Sequence, residues 1–171
     1  MFKLAGLLCI TGALGLTGIA KSMALKERTV LLEDYLQMLT YLRSRINYFR
    51  EPLCEILHAG AKNEDLKAFS FLNEILSNID SNPFEIERIW AQKAEEFYRN
   101  TPLKHEDINL IVYTGRFIGQ TDYENQCAQF EYLEKTLEKQ ISDAAQEYHR
   151  KGPLYRKIGF FAGGTVALVF I

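Results

Sequence analysis

Cysteine is scarce in this sequence, and its pattern argues against a disulfide-stabilised fold. The 171 residues include three cysteines, Cys9, Cys54 and Cys127, an odd and widely spaced set that does not form a disulfide framework. Cys9 lies in an apolar run, and the other two fall at apolar positions of predicted helices. We therefore expect buried structural thiols in a reducing compartment, without a redox or nucleophilic role.

The chain also lacks an excess of either charge. Its 20 Lys and Arg residues against 22 Asp and Glu residues give a formal net charge of -2. Nucleic-acid recognition needs a clustered basic surface, so this balance gives no reason to expect a nucleic-acid partner. The length suffices for one compact domain with a hydrophobic core.

Motifs of enzymes and nucleotide-binding sites are missing. The sequence contains no Walker loop, no GxGxxG and no GxSxG. The three histidines, His58, His105 and His149, are far apart. Asp122 and Glu124 would point about 200° apart on a helix, which does not suit a shared proton or metal. The sequence therefore predicts a protein that is not an enzyme and has no cofactor, metal or small-molecule substrate.

Two uncharged apolar runs lie at the ends of the chain. Leu4–Ala20 is about seventeen residues long, which is roughly 25 Å as a helix and close to the minimum for crossing a bilayer. Ile158–Ile171 is the second run. We predict an N-terminal transmembrane helix at 1–21 and a C-terminal one at 154–171, on either side of a helical domain at 22–153.

Basic residues flank both runs on the side of the central domain, and they predict the orientation. These residues are Lys21, Lys26, Arg28, Arg150, Lys151, Arg156 and Lys157. Lys and Arg next to a span stay in the cytoplasm, so the domain is predicted to be cytoplasmic. Alternatively, Gly18-Ile19-Ala20 is a signal-peptide cleavage site. That reading gives an exported helical domain tethered to the membrane by its C-terminal helix.

The central region has the apolar spacing of amphipathic helices. After Val30, apolar residues recur every three or four positions, at Leu32, Leu36, Leu39, Leu42, Ile46 and Phe49. No Gly or Pro separates this stretch from the first apolar run, so one continuous helix is possible. No alternation typical of strands occurs. The fold class predicted is all-α, an antiparallel helical bundle flanked by the two transmembrane helices.

Shorter helices are marked by their start and stop signals. A helix from Pro52 through Leu57 is closed by Gly60, and a third helix follows with apolar residues from Leu66 to Leu76. Asn82-Pro83 with Glu85, and later Thr101-Pro102, predict the next two starts.

The stretch GRFIGQTDYENQ, residues 115–126, is interpreted first as a junction between two helices. Gly115 falls in the last turn of one helix, and Gly119 is a plausible left-handed stop. Thr121 then caps the next helix, and Glu124 completes a capping box. That long helix is predicted to break at Gly152-Pro153, just before the second apolar run.

Small residues in both runs suggest helix packing. Gly159 and Gly163 form a GxxxG pattern, and Gly6, Ala13 and Ala20 recur at seven-residue steps. We expect either that the two spans pack on each other or that they pack on partner spans. The other reading is that glycine is simply common in membrane helices.

Residues 115–126 and the terminal YRKIGFFAGGTVALVFI together resemble the C-terminal half of the stage III sporulation protein AB family. The family pattern is Gly-x-x-Leu-Gly-x-Ser/Thr-Asp-x-x-x-Gln, with Ile118 in place of the usual Leu. The matching positions are Gly115, Gly119, Thr121, Asp122 and Gln126. Residues 45–57, RINYFREPLCEIL, and Trp90 also resemble the family, although Arg45 stands where an acid is usual.

The resemblance implies a membrane protein of endospore-forming bacteria, made in the mother cell and located in the outer forespore membrane. Its cytoplasmic domain would be similar to that of type II secretion platform proteins. It would dock a secretion-type ATPase, stage III sporulation protein AA, beneath a channel between the two cells. The other expected partners are further membrane proteins of that channel and the lipid bilayer. We expect Gly119, Asp122 and Gln126 to contact a partner. A small membrane enzyme using Asp122 and Glu124 is the rival reading, and it lacks a third convergent ligand.

Overall fold

The computed structural model describes residues 2–49, 53–62, 67–79, 85–118 and 123–170, and no strand occurs in these ranges. The helices are α1 (Phe2–Ser44), a π-helical turn (Arg45–Phe49), α2 (Leu53–Ala61), α3 (Lys67–Ile79), α4 (Ile86–Tyr98), α5 (His105–Phe117) and α6 (Tyr123–Phe170). The all-α class predicted from the sequence is confirmed.

Helix α1 is continuous from the first apolar run into the amphipathic stretch, as the absence of Gly and Pro between them indicated. The π-helical turn that follows has hydrogen bonds between residues i and i+5, so it holds roughly one residue more per turn than an α-helix. No feature of the sequence predicts this turn. Ile46 of this turn is buried in the core, while Asn47 accepts a hydrogen bond from the Cys127 thiol at 2.7 Å. The turn therefore joins the end of α1 to the start of α6.

The prediction that Gly60 ends helix α2 is wrong, because the helix includes Gly60 and ends at Ala61. Gly60 is buried. The Asn73 side chain donates a hydrogen bond to the Ala61 carbonyl at 3.0 Å, so a residue of α3 satisfies one of the carbonyls that a helix end leaves without a partner. The helix end is thus set by a tertiary contact.

Helix α5 begins at His105, three residues later than the Thr101-Pro102 signal predicted. Thr101 instead belongs to the end of α4, because its hydroxyl donates to the Tyr98 carbonyl at 2.7 Å. The start of α5 is capped by Asp107, whose buried carboxylate accepts a hydrogen bond from the Lys104 backbone N–H at 2.8 Å.

Helix α6 runs unbroken through Gly152-Pro153, so the predicted break there is wrong. Pro153 removes one backbone hydrogen bond, a cost that normally ends a helix. Gly152 is buried against α1, since a Cβ added to it would lie 3.1 Å from Ser22 Oγ. This close packing on α1 holds the helix across the proline.

The chain divides into two compact units. Unit 1 comprises Met1–Thr29 and Ser142–Ile171, and unit 2 comprises Val30–Ile141. Helices α1 and α6 therefore each contribute to both units. The domain boundaries predicted from the apolar runs, at residues 21 and 153, stay a prediction.

Unit 1 is an antiparallel pair formed by the first part of α1 and the last part of α6. A Cβ added to Gly18 would collide with the Tyr155 carbonyl oxygen and would lie 3.2 Å from Gly159 Cα. Of the two readings of the small residues, packing of the helices on each other is the one observed at Gly159. On α1, however, Ala13 and Ala20 are exposed, and the contact is made one face away at Gly18 and Ser22.

Over the residues that the structure describes, no helix combines the length and the hydropathy of a membrane span. The transmembrane helices predicted at 1–21 and 154–171 are therefore not confirmed.

Unit 2 contains the main hydrophobic core. Phe71 of α3 packs edge-on against Trp90 of α4, with ring centroids 5.2 Å apart, and Phe117 of α5 packs edge-on against Phe130 of α6 at 5.3 Å. The largest fully buried side chains all lie in this unit: Trp90, Tyr35, Tyr98, Phe71, Phe130, Leu31, Leu32, Met38, Leu39, Leu42, Ile56 and Leu57. Burial of this apolar surface is the dominant stabilising term of the unit.

Candidate partner-docking site

The predicted site residues lie at the junction of α5 and α6. Gln126, in the first turn of α6, donates a hydrogen bond from Nε2 to the Phe117 carbonyl at 3.3 Å. Carbonyls in the last turn of a helix have no partner within that helix, so Gln126 satisfies one at the end of α5. Gly119, Thr121, Asp122 and the side chain of Glu124 lie outside the described residues, and the predictions made for them are not tested.

Gly115 gives the same stretch a packing role. It lies in the last turn of α5, as predicted, and a Cβ added to it would be 2.7 Å from the Cβ and Cγ atoms of Trp90. The Trp90 indole N–H donates to the Ile111 carbonyl at 2.8 Å inside the core. Glycine at 115 thus permits close contact between α4 and α5. The sequence singled out both residues but gave no indication that they touch.

A buried hydrogen-bonded chain holds α5 to α1. The Tyr35 hydroxyl donates to Thr114 Oγ1 at 2.9 Å, and Thr114 Oγ1 donates to the Leu110 carbonyl at 3.2 Å. Tyr35 and Thr114 are completely buried. Burial raises the pKa of Tyr35 far above its ordinary value, so the phenol stays a neutral donor. These contacts fix the inner side of α5.

On α6, two polar contacts face α1. Glu134 accepts a hydrogen bond from Thr40 at 3.1 Å and pairs with Arg43 at 2.9 Å. Cys127, predicted as a buried structural thiol, is half-buried and hydrogen-bonded to Asn47. The side chains of Cys9 and Cys54 lie outside what the structure describes. The inner sides of both α5 and α6 are thus held by α1 and α4.

The outer sides of α5 and α6 form a groove of about 640 Å³, which we call the α5–α6 groove. It is lined by Glu106, Asn109, Leu110, Tyr113, Ala128, Gln129 and Tyr132. The Tyr113 hydroxyl donates to Gln129 Oε1 at 3.1 Å across the groove. Tyr132 of α6 is 59% exposed.

The groove offers amide, phenol and apolar groups around one carboxylate. Exposed tyrosines are typical of protein interfaces, because they combine a large apolar ring with a hydrogen-bonding hydroxyl. In the described part of the chain, no three His, Cys, Asp or Glu side chains come together in a way that could hold a metal ion. The exposed tyrosine makes the groove suitable for binding another protein.

Large exposed apolar side chains concentrate in unit 1. They are Leu16, Ile19, Met23, Leu154, Ile158, Phe160 and Phe161, whereas Val30 and Tyr132 are their counterparts in unit 2. Phe160 and Phe161 are 79% and 75% exposed. A concentration of exposed apolar side chains is typical of surfaces that contact protein or membrane.

The comparisons with known proteins agree with the pattern at residues 115–126. The family model described as stage III sporulation protein AB matches residues 3–171. No curated protein and no solved structure matches the chain significantly. The matched region includes the apolar runs at both ends of the chain and the α5–α6 junction. The chain belongs to the stage III sporulation protein AB family.

Proposed function

We propose that this chain is a non-enzymatic, membrane-anchored platform protein of a secretion-like channel between the mother cell and the forespore. Its unit 2 docks a cytoplasmic secretion-type ATPase, stage III sporulation protein AA, and its unit 1 lies at the membrane. Membership in a stage III sporulation family supports the setting. The ATPase and the channel rest on the resemblance to type II secretion platform proteins.

The observation that carries the proposal is the antiparallel pairing in unit 1. Gly18 lies against Tyr155 and Gly159, while Arg28 pairs with Glu147 at 3.4 Å. This register places the two apolar ends of the chain side by side and brings the two basic clusters to the same level. Two spans with a common cytoplasmic side need this arrangement.

Retention of the N-terminal segment fits the same contacts. Cleavage after Ala20 would remove Gly18 and leave the backbone of α6 at Gly159 without its partner helix. An exported domain tethered only by α6 would lose this packing. The contact therefore favours the anchored form over the exported one.

The ATPase-binding surface is the α5–α6 groove together with the junction residues Gly119, Asp122 and Gln126. Exposed Tyr132 lies in the groove, and Gln126 lies one turn before the groove residue Gln129 on α6. Since α1 and α4 cover the inner sides of α5 and α6, the groove is the accessible side of this helix pair.

Co-purification tests the proposal. The full chain, isolated from sporulating cells in mild detergent, is expected to retain the ATPase, and Tyr132→Ala should reduce the recovered ATPase about tenfold or more if this aromatic anchors the interface. Lys139→Ala, an exposed change on the same helix, is the matched control. Equal recovery with Tyr132→Ala would exclude the groove as the docking surface. A reporter fused within unit 2 that reads as extracellular would exclude the platform role altogether.

A further inference from the structure

The exposed charges of unit 1 are mostly positive, and its two exposed carboxylates, Glu27 and Asp143, lie within three residues of its sequence boundaries with unit 2. Residues 12–26 and 148–165 contain six Lys and Arg residues and no Asp or Glu. Five of these cations are exposed, and we call them the basic collar: Lys21, Lys26, Arg150, Arg156 and Lys157. The sixth, Lys151, is half-buried and pairs with Glu147 at 2.6 Å.

The half-buried carboxylate of unit 1, Glu147, pairs with two cations outside the collar. Glu147 accepts from Lys151 and from Arg28, whose side chain is only 4% exposed. Glu147 therefore neutralises charge on the inner side of the helix pair and not on the collar. The collar therefore carries an excess of positive charge, which attracts anions from outside unit 1.

The collar faces several directions. Arg156 and Lys157 are consecutive, so they point about 100° apart on α6, and Lys21 and Lys26 point about 140° apart on α1. An acidic patch on a protein partner would meet one side of the helix pair. A layer of anionic groups around the pair matches this distribution better.

The collar also adjoins the apolar surface. Ile19 precedes Lys21 by two residues on α1, while on α6 Ile158 directly follows Lys157 and Phe160 lies three residues after it. The Lys21 ammonium lies 5.8 Å from the centre of the Tyr155 ring, in a cation–π contact. A Tyr beside Lys and Arg at the edge of an apolar surface is the arrangement found at the headgroup level of membranes.

We infer that the basic collar binds the phosphate headgroups of anionic phospholipids at the inner membrane face. This inference rests on the anchoring part of the proposed function. Arg156 and Arg150 offer paired N–H donors to phosphate, and the lysines offer point charges. Unit 1 thus recognises lipid headgroups in addition to contacting acyl chains.

A lipid-competition experiment tests the inference. The full chain in mild detergent is incubated with equal amounts of phosphatidylglycerol and phosphatidylcholine and re-isolated, and the bound lipids are quantified by mass spectrometry. We expect phosphatidylglycerol to exceed phosphatidylcholine about fivefold or more, in line with the attraction of single Lys and Arg residues to anionic membranes. Equal amounts of the two lipids on the unchanged chain would overturn the inference.

Variants locate the binding. Combined Lys21→Gln, Arg156→Gln and Lys157→Gln should bring the ratio of the two lipids close to one. The matched control changes three exposed cations of unit 2, Lys62→Gln, Arg99→Gln and Lys139→Gln, with the same loss of charge, and should keep the preference. Loss of the preference in the control would assign it to net charge and overturn the collar site. Displacement of phosphatidylglycerol by inorganic phosphate, beyond that caused by chloride at equal ionic strength, would indicate a site for free phosphate instead.

Carbonate extraction of membranes separates this inference from the proposed function. A chain that stays in the membrane pellet but shows no headgroup preference keeps its anchor and refutes the collar. A chain that is released by carbonate refutes the anchor itself.

Discussion

Gly115 of α5 lies against the indole of Trp90 of α4, so closely that a Cβ at residue 115 would be 2.7 Å from two atoms of the tryptophan side chain. Trp90 is completely buried and donates its N–H to Ile111 on the same helix as Gly115. It therefore has no room to withdraw, and glycine at 115 is a requirement of the packing.

Gly115→Ala should consequently destabilise unit 2. Overpacking a filled core typically costs about 1–3 kcal/mol, more than the gain in helix propensity from Gly to Ala, about 1 kcal/mol. Denaturant unfolding followed by circular dichroism measures the loss. Gly12→Ala, where an added Cβ meets nothing within 4 Å, is the control and should cause no loss. Equal stability of the two variants would mean that α4 and α5 do not pack as closely as described.

Removal of the hydroxyl should lower the stability of the protein at Tyr35 but not at Tyr98, although both tyrosines are buried. Tyr35→Phe removes the hydrogen bond to Thr114 and should cost about 1 kcal/mol of unfolding free energy. Tyr98→Phe should leave stability unchanged or raise it, because its buried hydroxyl has no hydrogen-bond partner among the described residues. The pair is compared by denaturant unfolding. A large loss with Tyr98→Phe would reveal a partner for that hydroxyl.

The raised pKa values of the same two tyrosines predict that the protein loses stability at alkaline pH. Burial raises the pKa of both Tyr35 and Tyr98 above the ordinary value of 10.0, so the fold favours their protonated forms. This contribution is fully present below pH 10 and is lost as the pH rises above it, because the unfolded chain then gives up protons that the folded chain keeps. Unfolding free energy measured across this range should fall, and less steeply in a variant carrying both Tyr35→Phe and Tyr98→Phe. Equal slopes would assign the loss to other groups.

Glu147→Gln should destabilise unit 1. It removes the carboxylate that pairs with Arg28, whose side chain is only 4% exposed, at a cost of about 3 kcal/mol. Glu131→Gln, which breaks the exposed pair with Lys135 on the same helix, should have no measurable effect. Thermal unfolding of the full chain in detergent compares the two. Identical melting temperatures would show that the Arg28–Glu147 pair contributes nothing.

Gln126→Ala separates the two roles assigned to the α5–α6 junction. Loss of the hydrogen bond to Phe117 should lower stability by about 1 kcal/mol. If Gln126 also contacts the ATPase, recovery of the ATPase should fall at temperatures where the variant is fully folded. A lowered melting temperature with unchanged recovery would leave Gln126 as a helix-junction residue only.

Features set by neighbouring residues could be predicted from the sequence, whereas those set by distant contacts could not. The continuity of α1 followed from the absence of Gly and Pro, and Gly115 was placed in the last turn of its helix. By contrast, Pro153 was expected to end α6, because the sequence did not show that Gly152 packs against Ser22. The start of α5 also has a local signal in the sequence, because Asp107 lies three residues after Lys104 and accepts a hydrogen bond from its backbone N–H.

The candidate site shows the same division. The junction motif pointed to residues 115–126 but not to the contact between Gly115 and Trp90, which lie on different helices. On α1, seven-residue spacing suggested Ala13 and Ala20 as the packing face, whereas Gly18 and Ser22, four residues apart, make the contact. Spacing identifies possible helix faces, and only the tertiary structure selects among them. The groove beside Tyr132 likewise needs two helices to exist.

The pairing in unit 1 also fixes an order of events during synthesis. Arg28 and Glu147 are 119 positions apart, and everything between them includes the whole of unit 2. The ribosome therefore completes unit 2 before the first helix can meet its partner. In a chain that ends before residue 147, Gly18 and Ser22 lack the part of α6 that packs on them, and Arg28 lacks the Glu147 carboxylate. The helix pair of unit 1 can therefore form only after translation has passed residue 147.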